Sequence, residues 1–178
     1  RFVPHECAWA YLKLLEDVIT CWGVPASVYQ DRHTIHQRAD DFWSLEEELA
    51  GRQAPTQVGA ALEALAITAI CAQSPQAKGR VERLFGTLQD RLVALLAREG
   101  ITEIPAANAY LSNGFLAAFN DQFAQDPHST ERAWRTPPPP GELQRILSLC
   151  YRVIVANDNA VRLAGMVIDI PPGPQGRS

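Results

Sequence analysis

The chain has 178 residues, of which 47% are hydrophobic and 20% are charged, and its formal net charge is −4. A globular chain of this length buries roughly two thirds of its unfolded surface, so the composition argues against a disordered protein. The negative charge argues against a protein whose whole surface binds nucleic acid. Any such binding would use a local patch. No apolar run approaches the roughly 18 residues of a membrane span, so we predict a soluble protein without membrane association.

The four cysteines lie far apart in the sequence, at positions 7, 21, 71 and 150, and form no CxxC pair. This spacing indicates neither a zinc site nor a disulfide framework and favours a reducing compartment. We therefore expect each cysteine to be a small buried hydrophobic residue. The chain also begins with Arg1, close to the start of a predicted helix, which suggests a fragment of a longer protein.

The first half of the chain has the pattern of a β–α–β unit. Helical spacing of apolar residues predicts a helix over about 6–22, with Trp9 and Trp22 in the core. A β-favouring segment, ASVYQ, then ends at Asp31, and a second apolar β-type run, ITAIC, follows predicted helices at about 42–49 and 57–65. Such units favour two parallel strands, so Asp31 would lie at the carboxyl end of the first strand.

A long helix with a continuous apolar stripe is predicted directly after Ser74. The stripe consists of Val81, Leu84, Phe85, Leu88, Leu92, Leu95 and Leu96. At 100° per residue, Glu82 lies about 40° beyond one edge of this stripe, at the boundary between core and solvent. A carboxylate at that boundary can point towards a neighbouring element.

The second half of the chain is predicted to contain one more long helix, a linker and a small β module. Aromatic residues at helical intervals predict a helix over about 107–123, with Tyr110, Phe115, Phe119 and Phe123 in the core. TPPPPG predicts a stiff extended linker at 136–141, and YRVIV, AVRLAG and MVIDI predict a three-stranded meander. The predicted domains are 1–135, the linker 136–141, and 142–178 as the start of a β module.

Two segments carry a resemblance to a known family: GVPASVYQDRHTI and ITAICAQSPQAKGRVERLFGTLQDRL. They resemble the catalytic core of DDE transposases and retroviral-type integrases, and more narrowly the transposases of the ISNCY insertion-sequence group. FNDQFA, AWRTPPPP and VANDNAVRLAGMVIDIPPGP resemble the C-terminal region of that group, so the resemblance covers nearly the whole chain. It implies a helix-rich α/β protein with an RNase H-like (integrase catalytic core) fold that lacks its first strands, followed by a short C-terminal β meander.

The resemblance also implies a metal site and a reaction. In the family, three carboxylates hold two Mg²⁺ or Mn²⁺ ions, which prefer oxygen ligands. The resemblance matches Asp31 to the second of these carboxylates and Glu82 to the third. Two such ions promote cleavage of a phosphodiester, here the cutting of transposon ends and their transfer to target DNA. The implied partners are DNA and further copies of the chain, as a homo-oligomer, and the implied location is the bacterial cytoplasm, at the nucleoid.

Basic and polar residues around Glu82 are candidates for DNA contacts. Lys78, Arg80 and Arg83 could bind phosphates, and Gln76 lies in the polar loop that would approach DNA. The alternative for the three cations is a solvated helix face. Asp31 alone could form an Asx turn, and the nearby His33 and His36 are more typical of surface residues than of metal ligands.

The chain differs from the family pattern at the first of the three acidic ligands. In the family it lies upstream of the helix that here begins at about Glu6, and no Asp or Glu precedes Glu6. We therefore expect the 178-residue chain to be inactive alone. Two alternatives stay open: a non-catalytic module for DNA binding or multimerisation, and an RNase H-like nuclease.

Overall fold

The computed structural model describes residues 1–30, 35, 38, 42–71, 75–126 and 128–171, with only the backbone described at 75–78, 80 and 81. The chain forms two compact units, Arg1–Ser148 and Leu149–Ser178. The helices of the first unit are α1 (Ala8–Trp22), α2 (Leu45–Ala50), α3 (Gln57–Ala64), α4 (Pro75–Arg98), α5 (Ile104–Tyr110), α6 (Leu116–Phe123) and α7 (Pro140–Ile146). A π-helical segment, Leu111–Phe115, joins α5 to α6. The strands are β1 (Val24–Pro25), β2 (Ser27–Gln30), β3 (Thr68–Cys71) and β4 (Trp134–Arg135) in the first unit, and β5 (Ala160–Leu163) and β6 (Met166–Asp169) in the second.

The core of the first unit lies between α1 and α3, which contact each other. α1 buries Leu12, Leu15 and Ile19, and α3 buries Val58 and Leu62. The three α1 residues recur at helical spacing, as predicted, and burying each such side chain contributes about 1.5–3 kcal/mol. Hydrophobic burial along this one stripe therefore fixes the position of α1.

Several residues that we expected in the core are exposed. Trp9 and Trp22 lie outside the α1–α3 contact, because α1 packs along one stripe only. Cys21 and Cys150 are exposed free thiols, and Cys7 and Cys71 are partly exposed. The prediction of buried side chains is wrong for these residues, because helical spacing and residue type show which side chains are apolar but not how wide the covered stripe is.

The predicted parallel pair is present. β2 and β3 pair in parallel, with Tyr29 beside Ile70 and Gln30 beside Cys71. The connection between them contains α2 and α3, as expected for a crossover between parallel strands. The carboxyl ends of both strands therefore lie at the same edge, at Gln30 and Cys71.

A short strand from much later in the chain joins the β1 region of the first unit. β4 pairs antiparallel with β1, with Arg135 beside Val24. The Arg135 Nη2 atom donates hydrogen bonds to the carbonyl oxygens of Leu65, at 2.8 Å, and Ala66, at 2.9 Å. One arginine therefore ties the β1 region to the turn between α3 and β3.

The close approach of β4 requires a glycine at the end of α1. Gly23 has φ +101° and ψ −176°, and its N–H donates to the carbonyl oxygen of Ile19 at 2.8 Å. A Cβ atom at this position would lie 2.6 Å from the Arg135 carbonyl oxygen. Both the backbone conformation and the space available therefore exclude a side chain here.

The apolar stripe of α4 is covered in its second half only. Leu92 is buried and Leu88 is partly exposed, whereas Leu84 and Phe85 are 45% and 58% exposed. The prediction of a continuous core-facing stripe is wrong for the first half, because the described residues leave Leu84 and Phe85 uncovered. Neither α4 nor any other described helix is both long and apolar enough to cross a membrane.

The second half of α4 lies against α6. The Arg91 guanidinium carbon lies 4.8 Å from the centre of the Phe123 ring, and Arg91 Nη1 donates to Gln122 Oε1 at 3.1 Å. Phe123 is the last of four rings along α5, the π-helical segment and α6, with successive centroids 6.0, 5.9 and 4.7 Å apart: Tyr110, Phe115, Phe119 and Phe123. The π-helical segment is kinked, with non-helical dihedrals at Asn113 and Gly114. Phe123 is 40% exposed, so the prediction that it lies in the core is wrong.

The second unit contains a β-hairpin. β5 and β6 pair antiparallel, with Leu163 beside Met166. Residues 151–155, predicted as the first strand of the meander, are not a strand, and Ile154 is 92% exposed. A β-favouring run becomes a strand when another strand pairs with it, and among the described residues of this unit β5 and β6 pair with each other and not with 151–155. The two compact units divide between Ser148 and Leu149. The predicted domain boundaries at 135 and 141 stay predictions.

We predict that Gly23→Ala destabilises the chain more than Gly51→Ala. Gly51 also has a positive φ, +67°, but a Cβ there would meet nothing within 4 Å. Left-handed strain alone costs about 1 kcal/mol, whereas Gly23→Ala adds the clash with the Arg135 carbonyl and should cost about 3 kcal/mol. Urea unfolding of both variants measures the difference, and equal losses would show that β4 does not hold its place in solution.

Candidate functional site

The candidate site lies at the carboxyl ends of β2 and β3. The structure brings Gln30 and Cys71 side by side there. Asp31 follows Gln30 in the sequence and lies, with His33 and His36, outside the described residues. Open α/β folds commonly bind ligands at such strand ends, because loops and helix starts meet there.

Glu82 lies on α4, the helix that follows β3 in the chain. α4 begins at Pro75, so Glu82 lies two turns into the helix. Its side chain is exposed, as is that of Arg83. Glu82 is therefore accessible to a ligand, in keeping with its predicted place near the solvent boundary.

The other predicted DNA contacts also belong to the start of α4. Gln76, Lys78 and Arg80 all lie within Pro75–Arg98, and their side chains are outside the described part of the chain. Arg83 is the predicted contact whose side chain is described. Successive helical residues are 100° apart, so Arg83 is exposed on a different side of α4 from Glu82.

A cavity of about 560 Å³ lies beside the strand ends. Gln30 and Cys71 line it together with Arg52, Thr56 and Glu63. The Gln30 Oε1 atom is buried and accepts no hydrogen bond from the described residues. A buried acceptor without a donor is costly, so this oxygen is available to a ligand that donates a hydrogen bond or carries positive charge.

The wall of the cavity is a loop built around one buried carboxylate. Glu47 accepts hydrogen bonds from the backbone N–H of Ser44, at 2.8 Å, and of Ala54, at 2.7 Å. Arg38 Nη1 donates to the same carboxylate at 2.5 Å. Ser44 and Glu47 also form a capping box that starts α2. The residues around Arg52 are therefore held in place by Glu47.

These contacts change the acidity of Glu47. The backbone N–H groups of Ser44 and Ala54 donate to the charged form and hold the pKa of Glu47 below its usual value, and Arg38 acts in the same direction. Glu47 therefore stays ionised at neutral pH and stabilises the loop as an anion.

Sequence reasoning missed the residues of this cavity. We predicted only a short helix near 42–49 and assigned no role to Arg38 or Glu47. The sequence Ser44-Leu45-Glu46-Glu47 does carry the capping-box pattern, which could have placed both the helix start and the role of Glu47. Gln30 and Arg52 carry no comparable pattern, because their positions depend on how the connection folds back onto β2 and β3.

The candidate residues carry oxygen donors that suit a hard divalent cation. A carboxylate at Glu82 and an orphaned amide oxygen at Gln30 are oxygen ligands, which Mg²⁺ and Mn²⁺ prefer. Within the described ranges, no group of three or more His, Cys, Asp or Glu side chains is placed to hold a metal ion. The chemistry of the donors fits, and Asp31 is the predicted ligand outside those ranges.

The chain is similar to proteins named as transposases. One, from Sinorhizobium fredii (strain NBRC 101917 / NGR234), is named as transposase y4bF and is 42% identical over 127 residues, which cover 71% of this chain and 26% of the relative. Another is the transposase for insertion sequence IS1202 of Streptococcus pneumoniae, which is 31% identical over 162 residues, or 90% of this chain and 33% of the relative. The chain thus spans about a quarter to a third of the length of the curated relatives it matches. No protein-family profile and no solved structure matches the chain.

We predict that Glu47→Gln reduces stability at neutral pH and flattens its decline in acid. Because the folded-state pKa lies below the unfolded value, the carboxylate stabilises the fold above the unfolded pKa of about 4.5. This contribution disappears as the pH falls through the lower folded pKa. Urea midpoints measured between neutral pH and about pH 3 would show the effect.

Glu48→Gln is the matched control, since Glu48 is an exposed neighbour in the same helix. It should leave both the midpoint and its pH dependence close to those of the unmodified chain. A pH profile that Glu47→Gln leaves unchanged would contradict the assigned role of Glu47.

Proposed function

We propose that the chain is part of a transposase catalytic core that cuts DNA strands at transposon ends and joins them to target DNA. The fold that we propose for it is the RNase H-like fold of DDE transposases. The similarity to two proteins named as transposases supports the general role. The metal-dependent mechanism and its residues are the finer part of the proposal.

The observation that carries this proposal is the sequence of elements around the strand ends. A parallel pair, β2 and β3, ends at one edge, and α4 follows β3 directly with Glu82 exposed on it. An acidic residue, Asp31, comes immediately after β2 in the sequence. This order of strand, acid, strand and acid-bearing helix is what the resemblance implies for a DDE core.

In the proposed mechanism, Asp31 and Glu82 hold divalent metal ions and take no proton themselves. Two bound ions would neutralise charge on the phosphate and activate a water molecule or a 3′-hydroxyl group. The carboxylates supply negative charge and fix the position of the phosphate relative to the attacking oxygen. Gln30 Oε1, buried at the end of β2, is available to orient a water molecule or another donor.

The cations near Glu82 would hold the DNA backbone. Arg83 is exposed and follows Glu82 in the sequence, and Lys78 and Arg80 belong to the preceding turns of α4. Arginine binds phosphate oxygens through two parallel N–H donors, which fixes the strand as well as attracting it. Gln76 would add a polar contact at the start of the helix.

The relatives are three to four times longer than the matched region, so other parts of such proteins contribute to their function. We propose that the 178-residue chain binds metal through Asp31 and Glu82 but does not cut DNA alone, since the sequence assigns two of the three acids. We also propose that it acts as a homo-oligomer, because transposition joins two DNA ends.

One observation favours the second candidate, a module for DNA binding or multimerisation without catalysis. Leu84 and Phe85 are exposed on α4 close to Glu82, and exposed apolar residues of this size are common at protein interfaces. Under this alternative, Glu82 is a solvated residue beside an interface and contributes nothing to metal binding.

We predict that Mn²⁺ binds saturably to the chain and that Asp31→Asn and Glu82→Gln each abolish this binding. Both substitutions keep the size of the side chain and remove the charge that a divalent cation needs. Calorimetric titration measures the binding. Asp90→Asn is the matched control, because Asp90 is another exposed carboxylate on α4 and should leave the titration unchanged.

A transposon-end duplex then separates the candidate functions. DNA strand transfer by a longer protein that contains this chain, lost in Glu82→Gln, supports the transposase. Cleavage without joining supports a nuclease, and DNA binding that does not depend on Mn²⁺, Asp31 or Glu82 supports the non-catalytic module.

A further inference from the structure

Two tryptophans, Trp22 and Trp134, form an exposed pair beside β1. The Trp22 and Trp134 side chains are 64% and 42% exposed. Their ring centroids lie 6.2 Å apart, and the ring planes make an angle of 38°. Tryptophan is usually well buried, and an exposed pair flanked by arginine is typical of binding surfaces.

The pair belongs to a cleft of about 500 Å³ that we call the Trp cleft, lined among others by Trp22, Trp134, Arg132, Thr136 and Pro137. Its walls are ordered by contacts already described. Trp22 ends α1, and Trp134 lies in β4, which pairs with β1 and is anchored by Arg135. Both indole rings therefore stand on fixed backbone, so a ligand would not have to order them on binding.

The charge of the Trp cleft is positive. The Arg132 side chain is exposed and has no ion-pair partner among the described residues. The second arginine at the cleft, Arg135, directs its guanidinium group to the carbonyl oxygens of Leu65 and Ala66 and so serves the fold. Arg132 is therefore the cation that a ligand would meet.

We propose that the Trp cleft binds an unpaired nucleobase of single-stranded DNA. The faces of two indole rings offer stacking to any base, and Arg132 offers a contact to the adjoining phosphate. The combination of aromatic faces with a nearby cation is the arrangement by which proteins hold single strands without reading their sequence. This inference rests on the proposed function, which makes DNA the partner, and adds a second DNA contact that uses none of the metal ligands.

The position of the Trp cleft makes the inference testable by itself. Trp22 precedes β1 and β2, whereas Gln30 ends β2 at the candidate site. The residues that line the Trp cleft and those that line the cavity beside Gln30 do not overlap. Substitutions in the Trp cleft should therefore change DNA binding without changing the Mn²⁺ titration.

The experiment is fluorescence anisotropy of a labelled oligothymidylate titrated with the full 178-residue chain and three variants. Trp22→Leu should weaken binding about tenfold, because it removes one stacking face. Arg132→Gln should weaken binding and reduce the slope of log K against log salt by about 0.7. Trp9→Leu is the matched control, since Trp9 is also an exposed tryptophan of α1 and does not line the cleft, and it should bind like the unmodified chain.

A fully paired duplex of the same length separates base stacking from general attraction to DNA. Trp22→Leu should weaken binding of the oligothymidylate much more than binding of the duplex. The inference is overturned by no binding of the oligothymidylate, by equal affinity of Trp22→Leu and Trp9→Leu, or by an equal loss for single strand and duplex. Self-association that depends on Trp22, without oligothymidylate binding, would assign the cleft to a protein partner and would also overturn it.

The Mn²⁺ titration keeps the two proposals apart. One outcome is that Asp31→Asn and Glu82→Gln leave Mn²⁺ binding unchanged while Trp22→Leu weakens single-strand binding tenfold. This outcome would refute the proposed metal site and support the Trp cleft. The reverse result would refute the Trp cleft alone. Thermal unfolding of Trp22→Leu and Arg132→Gln confirms that both variants are folded.

Discussion

The first unit depends on one long-range anchor, the guanidinium group of Arg135. It reaches the carbonyl oxygens of Leu65 and Ala66, about seventy positions earlier in the chain, and so closes the turn between α3 and β3. Carbonyl groups in a turn need donors, and a charged donor satisfies two of them with stronger hydrogen bonds than a neutral one would. The strand that carries Arg135 also pairs with β1, approaches Gly23 closely and contains Trp134.

The elements that the sequence predicted are those with local periodicity. α1, β2, α3, β3 and α4 were each predicted from spacing within a few residues, and their parallel pairing followed from the rule for crossovers. β4 was not predicted, because two residues carry no periodicity and their partner lies more than a hundred positions away. The exposure of Leu84 was not predictable either, since a pattern shows which side of a helix is apolar but not which element covers it.

The features of the candidate site also divide into those that the sequence predicted and those that required the structure. The accessibility of Glu82 follows from its angle on α4, so the sequence was sufficient to place it near solvent. The cavity beside Gln30 depends on the folded loop around Glu47, and the Trp cleft depends on β4, so both required the structure. The two acids were predicted from the sequence, whereas the cavity beside Gln30 and the Trp cleft arise from contacts between distant segments.

The kink between α5 and α6 has a consequence for how this region tolerates changes in length. In an uninterrupted α-helix, Tyr110 and Phe115 would differ by 140° around the axis, whereas across the kink at Asn113 and Gly114 their ring centroids lie 6.0 Å apart. Gly114 has φ +118°, a conformation that favours glycine. Deleting a residue at Asn113 or Gly114 would therefore redirect α6 and carry Phe123 away from Arg91, rather than act as a local change.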